Sequence, residues 1–197
     1  MNAMFHNCDN LSGINFNSSF NTKKVTSMKM MFGKCYSLKK LNLKYFNTEN
    51  VEDMSFMFDG CYNLEEILLN TSLFKTKNVA SMGHMFFECY KLKFINLSCF
   101  TGEKINLVSN MFNDCTEMKI INLSKFCINE EVDTNFMFKG CNNLETLDLS
   151  SFKFINGEKI KNMFYGLSNI KKIKVSQNTI ENCKKYFKDI GDKFSFN

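Results

Sequence analysis

The sequence predicts an α/β repeat solenoid of about seven 26-residue units, with a parallel sheet on one face and short helices on the other. Three observations predict it. A Met-Phe pair recurs seven times, at Met4-Phe5, Met31-Phe32, Met57-Phe58, Met85-Phe86, Met111-Phe112, Met137-Phe138 and Met163-Phe164. The steps between the Met positions are 27, 26, 28, 26, 26 and 26 residues. A Cys stands three residues beyond the Phe in the first six copies, and Leu167 takes its place in the last. A fixed period in this range marks units that bury their apolar face only against their neighbours.

Within a unit, two apolar patterns alternate. Val25, Met28, Met31 and Phe32 fall at offsets 0, 3, 6 and 7, as do Val51, Met54, Met57 and Phe58. These offsets share one face of a 3.6-period helix, which predicts a helix of two to three turns. Asn50 and Asn78 stand where an N-cap side chain would satisfy a free N–H. Gly60, Gly140 and Gly166, just past the Met-Phe pair, match a left-handed helix stop. The second pattern is Leu38-x-x-Leu41-x-Leu43, repeated through Leu64, Ile67 and Leu69 and onward to Ile170, Ile173 and Val175. Its last two apolar positions alternate with a polar one, as in a strand. Phe46, Phe100, Phe126 and Phe152 follow as plugs for the turn. Stacked units would place these strands in a parallel sheet about 4.8 Å apart, and the kernel is that of a leucine-rich repeat.

Departures from the period locate loops and ends. Residues Asn70 to Phe74 include two extra positions, which produce the 28-residue step. Glu131 and Thr134 fall on expected apolar places, with Val132 and Phe136 one or two residues away to compensate. After Val175 the spacing of Ile180, Cys183, Phe187 and Ile190 turns helical and closes with Gly191. The expected division is a solenoid over 1–177, beginning inside a repeat and so truncated at its N-terminus, and a cap helix with tail over 178–197.

The run Met57-Phe58-Asp59-Gly60-Cys61-Tyr62-Asn63-Leu64, preceded by Phe46-Asn47-Thr48-Glu49-Asn50-Val51-Glu52-Asp53-Met54, resembles the BspA-like leucine-rich-repeat surface proteins. Met137 to Phe152 is similar to the same pattern, and the resemblance spans about residues 3–176. It implies a non-enzymatic module on a cell surface or secreted, used for adhesion or binding of a protein or glycan, and carries over no catalytic residue. No secretion signal or lipobox Cys is visible in this chain.

Composition excludes several function classes. All 25 basic residues are Lys, scattered among acids for a net charge of +5, whereas nucleic-acid sites use Arg forks and basic clusters. No stretch approaches the roughly 20 apolar residues of a membrane span. The nine cysteines contain no CxxC, and a place that accepts Cys or Leu167 is an apolar core site. Cys99 and Cys127, flanking the Phe plugs, are the expected exposed thiols, with a bridge between them left open. His6 and His84 lack partner patterns, and no phosphate loop, HExxH or GxSxG motif occurs. The expectations are therefore no catalytic residues, no cofactor, no metal, no nucleic acid, no membrane insertion and a monomer.

What remains is the outward side of the sheet. One column reads Asn15, Asn42, Leu68, Asn96, Asn122, Asp148 and Lys174, and a flanking one Lys40, Glu66, Phe94, Ile120, Thr146 and Lys172. Amides on a rigid sheet can offer donors and acceptors, or simply stack in solvent. Neighbouring exposed apolar residues can mark a binding patch. The candidate ligand-binding residues are Leu68, Phe94, Asn96, Ile120 and Asn122. Two functions fit: an interaction or adhesion module, or a structural scaffold without its own ligand.

Overall fold

The computed structural model describes residues 1–153, 162–177, 181 and 192–195. It is a parallel β-solenoid of about five turns with repeats about 26 residues apart, tied by bridges Ser27↔Asp53, Asp53↔Ser81, Ser81↔Leu107 and Leu107↔Asp133. Strands β1 (Lys40–Leu43), β2 (Glu66–Leu69), β3 (Phe94–Asn96), β4 (Ile120–Asn122), β5 (Thr146–Leu149) and β6 (Lys172–Val175) occupy the predicted kernel. A short β7 (Phe194–Ser195), in the segment expected to be cap and tail, pairs in parallel with β6. The expected cap helix over 178–191 lies, apart from Glu181, outside the described residues.

The core is the predicted one. The Met-Phe phenylalanines form a stack along the axis, with centroids 5.7 Å apart for Phe32–Phe58 and 5.3 Å for Phe58–Phe86. The plug residues Phe46, Phe74, Phe100, Phe126 and Phe152 are fully buried, and Phe74 and Phe100 stack at 5.7 Å. Each such ring contributes roughly 1.5–3 kcal/mol by leaving water. Val132 is buried as expected, Thr134 is buried in the place of a Met, and Phe136 stays half-exposed.

Among the described residues the predicted repeat helices do not form, and this is the main correction. Residues Met30, Phe56, His84, Asn110 and Phe136, inside the expected helices, have φ between 55° and 59°. A right-handed helix cannot pass through a left-handed residue. The segment is instead a chain of tight turns closed by bonds such as Met31 N–H to Met28 O and Cys35 N–H to Phe32 O. The turns keep the expected residues buried, so the burial pattern holds while the conformation differs. Alternate residues bond between coils: Met28, Met30, Phe32 and Lys34 donate N–H to the carbonyls of Asp53, Ser55, Met57 and Asp59. Each coil repeats this toward the next, and one bond per joint runs back, as from Glu52 N–H to Thr26 O and Ala80 N–H to Glu52 O. Gly60, Gly140 and Gly166 are left-handed as predicted, but as turn residues. Asn50 and Asn78 are not N-caps; each donates its side-chain amide to the carbonyl of the preceding coil, Lys23 and Glu49 respectively, at 2.8 Å.

Among the described residues this turn ladder is continuous, whereas the sheet is not. Hydrogen bonding joins β1 to β2, β3 to β4, and β5 to β6 and β7, and is interrupted between β2 and β3 and between β4 and β5. The continuous backbone seam of the solenoid is therefore the Met-Phe side, with the kernel strands grouped beside it.

Candidate functional site

The sheet face gathers four of the five candidate residues on one pair of strands. Phe94 and Ile120 are register partners, 53% and 56% exposed, and Asn96 pairs with Asn122 one step along. Leu68, 50% exposed, has Asn42 as its register partner and stands across the interruption from β3. A groove of about 380 Å³ joins the two sides, lined by Glu65 to Leu69, Thr71 and Lys93 to Asn96. A second groove of about 420 Å³, lined by Ile14, Lys40, Asn42, Glu66 and Leu68 among others, continues it toward the N-terminus. Leu68 lines both.

The amide column is largely occupied by its own backbone. Asn42, Asn96 and Asn122 each accept a bond through Oδ1 from the N–H two residues on, at 3.0–3.1 Å. Asn122 also donates to Asn96 Oδ1 at 3.1 Å. These amides end the strands and brace one coil on another, so the apolar residues are what the face offers outward. Ion pairs frame them, Lys40 with Glu66 at 3.1 Å and Lys174 with Asp148 at 3.6 Å, and exposed pairs of this kind add little stability.

The cysteine ladder is a packing device with a polar component. Cys61, Cys89, Cys115 and Cys141 are buried, and each thiol donates to a Phe carbonyl of the preceding coil at 3.1–3.2 Å. Cys35 does the same to Phe5, and burial pushes its thiol up to about 11. Burial raises the other four further, which holds them as unreactive thiols. Cys99 is half-buried and Cys127 exposed, and both are free, with no bridge between them. Among the described residues, no group of three His, Cys, Asp or Glu side chains gathers to hold a metal. No helix among them is long and apolar enough to cross a membrane.

Two features escaped the sequence reading. Buried Thr48 and Thr76 link adjacent coils: Thr48 Oγ1 donates to Lys75 O at 2.6 Å and accepts from Lys75 N–H at 2.7 Å. Thr76 does likewise with Thr101. The recurrent Phe-x-Thr carries that signal. On the turn side, Tyr36, Tyr62 and Tyr90 stack at 4.8 and 5.0 Å, and Phe56 stacks on His84 at 4.6 Å. A Tyr after three successive ladder cysteines would have shown it. Burial lowers the His84 imidazole, while burial and then Glu88 push Asp59 up to about 6.

The family model described as "Mycoplasma protein of unknown function, DUF285" matches residues 1–120 and 91–196. No curated protein matches the sequence. Among solved structures the chain is similar to a leucine-rich repeat protein from Bacteroides ovatus, with 17% identity and a TM-score of 0.40 over 89% of this chain and 58% of that one. It is also similar to a chain in the crystal structure of a TLR13–ssRNA13 complex, with 18% identity and a TM-score of 0.42 over 84% of this chain and 23% of that one. The match thus covers less than two thirds of either relative's length.

Proposed function

We propose, starting from the fact that this chain belongs to the family described as Mycoplasma protein of unknown function, DUF285, that it is a non-catalytic interaction module. Its sheet face presents Leu68, Phe94 and Ile120 to a protein or glycan ligand, in the manner of the BspA-like surface proteins it resembles, at a cell surface or after secretion. The observation that carries this reading is the exposure of those three side chains, each at least half in solvent, beside two adjoining grooves. Contiguous exposed apolar residues on a rigid scaffold are a recognised mark of an interaction site. The rigidity comes from the stacked rings and the continuous turn ladder, so the face meets a ligand with little ordering cost.

A binding screen of the purified chain against extracellular-matrix proteins and glycans tests the proposal. Binding that Phe94→Ser and Ile120→Ser remove supports it. Binding that both variants retain moves the site off the sheet face. A structural scaffold is the competing reading, favoured by the self-engaged amides of Asn42, Asn96 and Asn122. It predicts no ligand in the screen for either form of the chain.

A further inference from the structure

We propose that the two adjoining grooves of the sheet face bind one neutral, β-linked oligosaccharide, which runs along the solenoid axis across β1, β2 and β3 and stacks a sugar ring on Phe94. The proposal rests on the sheet face being the interaction face and names the class of its ligand. The path crosses the strands instead of following them. The groove of about 420 Å³ is lined from three successive coils, by Asn15, Asn42 and Leu68 among others. The groove of about 380 Å³ continues it from Leu68 to Phe94 and Asn96 on the next coil.

The step of the coils suits a sugar chain. Paired strands lie about 4.8 Å apart, and a β-linked pyranose chain advances by nearly the same length per sugar. Each coil therefore meets the next sugar in the same way. An extended polypeptide repeats its side chains every two residues, about 6.4–6.8 Å, and drifts out of step with the coils. Nor does it find a place to pair as a strand, because β2 and β3 lie too close for one between them.

The chemistry of the grooves fits a neutral polyol. Lys39, Lys40 and Lys93 line them against Glu65 and Glu66. Lys40 pairs with Glu66 at 3.1 Å, and Lys93 with Glu117 at 3.4 Å. With Glu117 included, the signs match one for one, so no net charge selects an ion. A sugar hydroxyl both donates and accepts, and so uses ammonium and carboxylate side by side. Asn96 adds a donor: its Oδ1 is taken by Ser98 N–H and Asn122 Nδ2, while its own Nδ2 has no partner among the described residues. Phe94, 53% exposed, supplies the apolar part. No ring among the described residues stacks on it, whereas Tyr62 lies against Tyr36 and Tyr90. The slightly positive C–H groups of a pyranose pack well on the negative face of such a ring.

The test titrates the full chain with β-linked tetrasaccharides of glucose, N-acetylglucosamine and mannose, each against its disaccharide, by isothermal calorimetry. At least one tetrasaccharide should bind with a Kd below about 1 mM, and at least about tenfold more tightly than its disaccharide, because it reaches more coils. Asn96→Asp keeps the acceptor for Ser98 N–H, as Asp148 does for Ser150 N–H at 3.1 Å, and replaces the Nδ2 donor by an oxygen. It should weaken binding about two- to tenfold, the worth of one hydrogen bond. Phe94→Ser should weaken it at least about tenfold through the lost apolar contact. No binding by any tetrasaccharide at about 1 mM, or equal affinity of tetrasaccharide and disaccharide, overturns the proposal. If an extracellular-matrix protein binds instead, and Phe94→Ser removes that binding, only the sugar falls and the sheet face stands. If tetrasaccharide binding survives both Phe94→Ser and Asn96→Asp, the sheet face falls as well.

Discussion

Replacing Thr48 by Val keeps the shape of a buried side chain and deletes only its hydroxyl. That hydroxyl donates to Lys75 O at 2.6 Å and accepts from Lys75 N–H at 2.7 Å, and Thr48 is 1% exposed. The substitution leaves the Lys75 N–H without a partner, which costs about 1–3 kcal/mol, and removes a bond to the Lys75 carbonyl worth about 0.5–1.5 kcal/mol. A gain of about 0.5 kcal/mol from the added methyl offsets part of this. The expected loss is about 1–4 kcal/mol, or a Tm lower by roughly 2–16 °C for a domain of this size. Urea denaturation followed by circular dichroism measures the loss. Hydrogen exchange should show it concentrated near Lys75, because a coil contacts only its neighbours. Thr26, which is exposed, is the control, and Thr26→Val should change stability by less than about 0.5 kcal/mol. A Thr48→Val variant as stable as that control refutes the account of the hydroxyl as a joint between coils.

Other outcomes follow from the same packing. With a thiol reagent in native buffer, Cys127 should react quickly and Cys99 slowly. The thiols of Cys35, Cys61, Cys89, Cys115 and Cys141 should appear only in denaturant, and their prompt modification would contradict the buried ladder. Asp59, pushed up to about 6 by burial and then by Glu88, binds its proton more tightly folded than unfolded. Its contribution is thus complete below about pH 4 and lost as pH rises through about 6. After allowance for its partial exposure, Asp59→Asn should gain about 1 kcal/mol at pH 7.5 and nothing near pH 4 in parallel melts. Gly140 has a φ of +72°, and a Cβ there would collide with Asp114 Oδ1. Gly140→Ala should therefore cost about 1–2 kcal/mol, and adding Asp114→Ala should recover the part due to collision but not the part due to backbone strain. Full recovery in the double variant would deny that strain.

The period, the buried residues and the strand register were legible because each depends only on which side chains leave water. Cys61 and Leu167 share a place for that reason, and Phe94 meets Ile120 because both hold the same offset. The turn conformation was not legible. Val51, Met54, Met57 and Phe58 satisfy helical spacing, but left-handed backbone at Phe56 and Gly60 lets the same residues point inward while the N–H groups turn toward the next coil. Apolar spacing records burial and is blind to where a backbone donor points. Asn50 looked like a cap for a related reason: its side chain seeks a carbonyl of Lys23, 27 residues away, which no local rule reports. For the candidate face, the exposed trio was visible as a break in a polar column. The interruption between β2 and β3 was not, since their residues follow the same kernel as the paired strands.

The recurring main-chain bonds of the turn ladder make its joints between coils alike. On the turn side each coil turns a recurring pattern of N–H groups, with one carbonyl, toward the next, so the pattern of any coil matches that of any other. Duplication or loss of one whole unit leaves the new joints complementary, whereas a shift by a fraction of a unit sets donors against side chains of the wrong kind. A lineage of such chains is therefore free to change its length in whole units by recombination between repeats. The surface can diverge from unit to unit meanwhile, wherever its side chains do not bridge coils as Thr48, Asn50 and the ladder cysteines do.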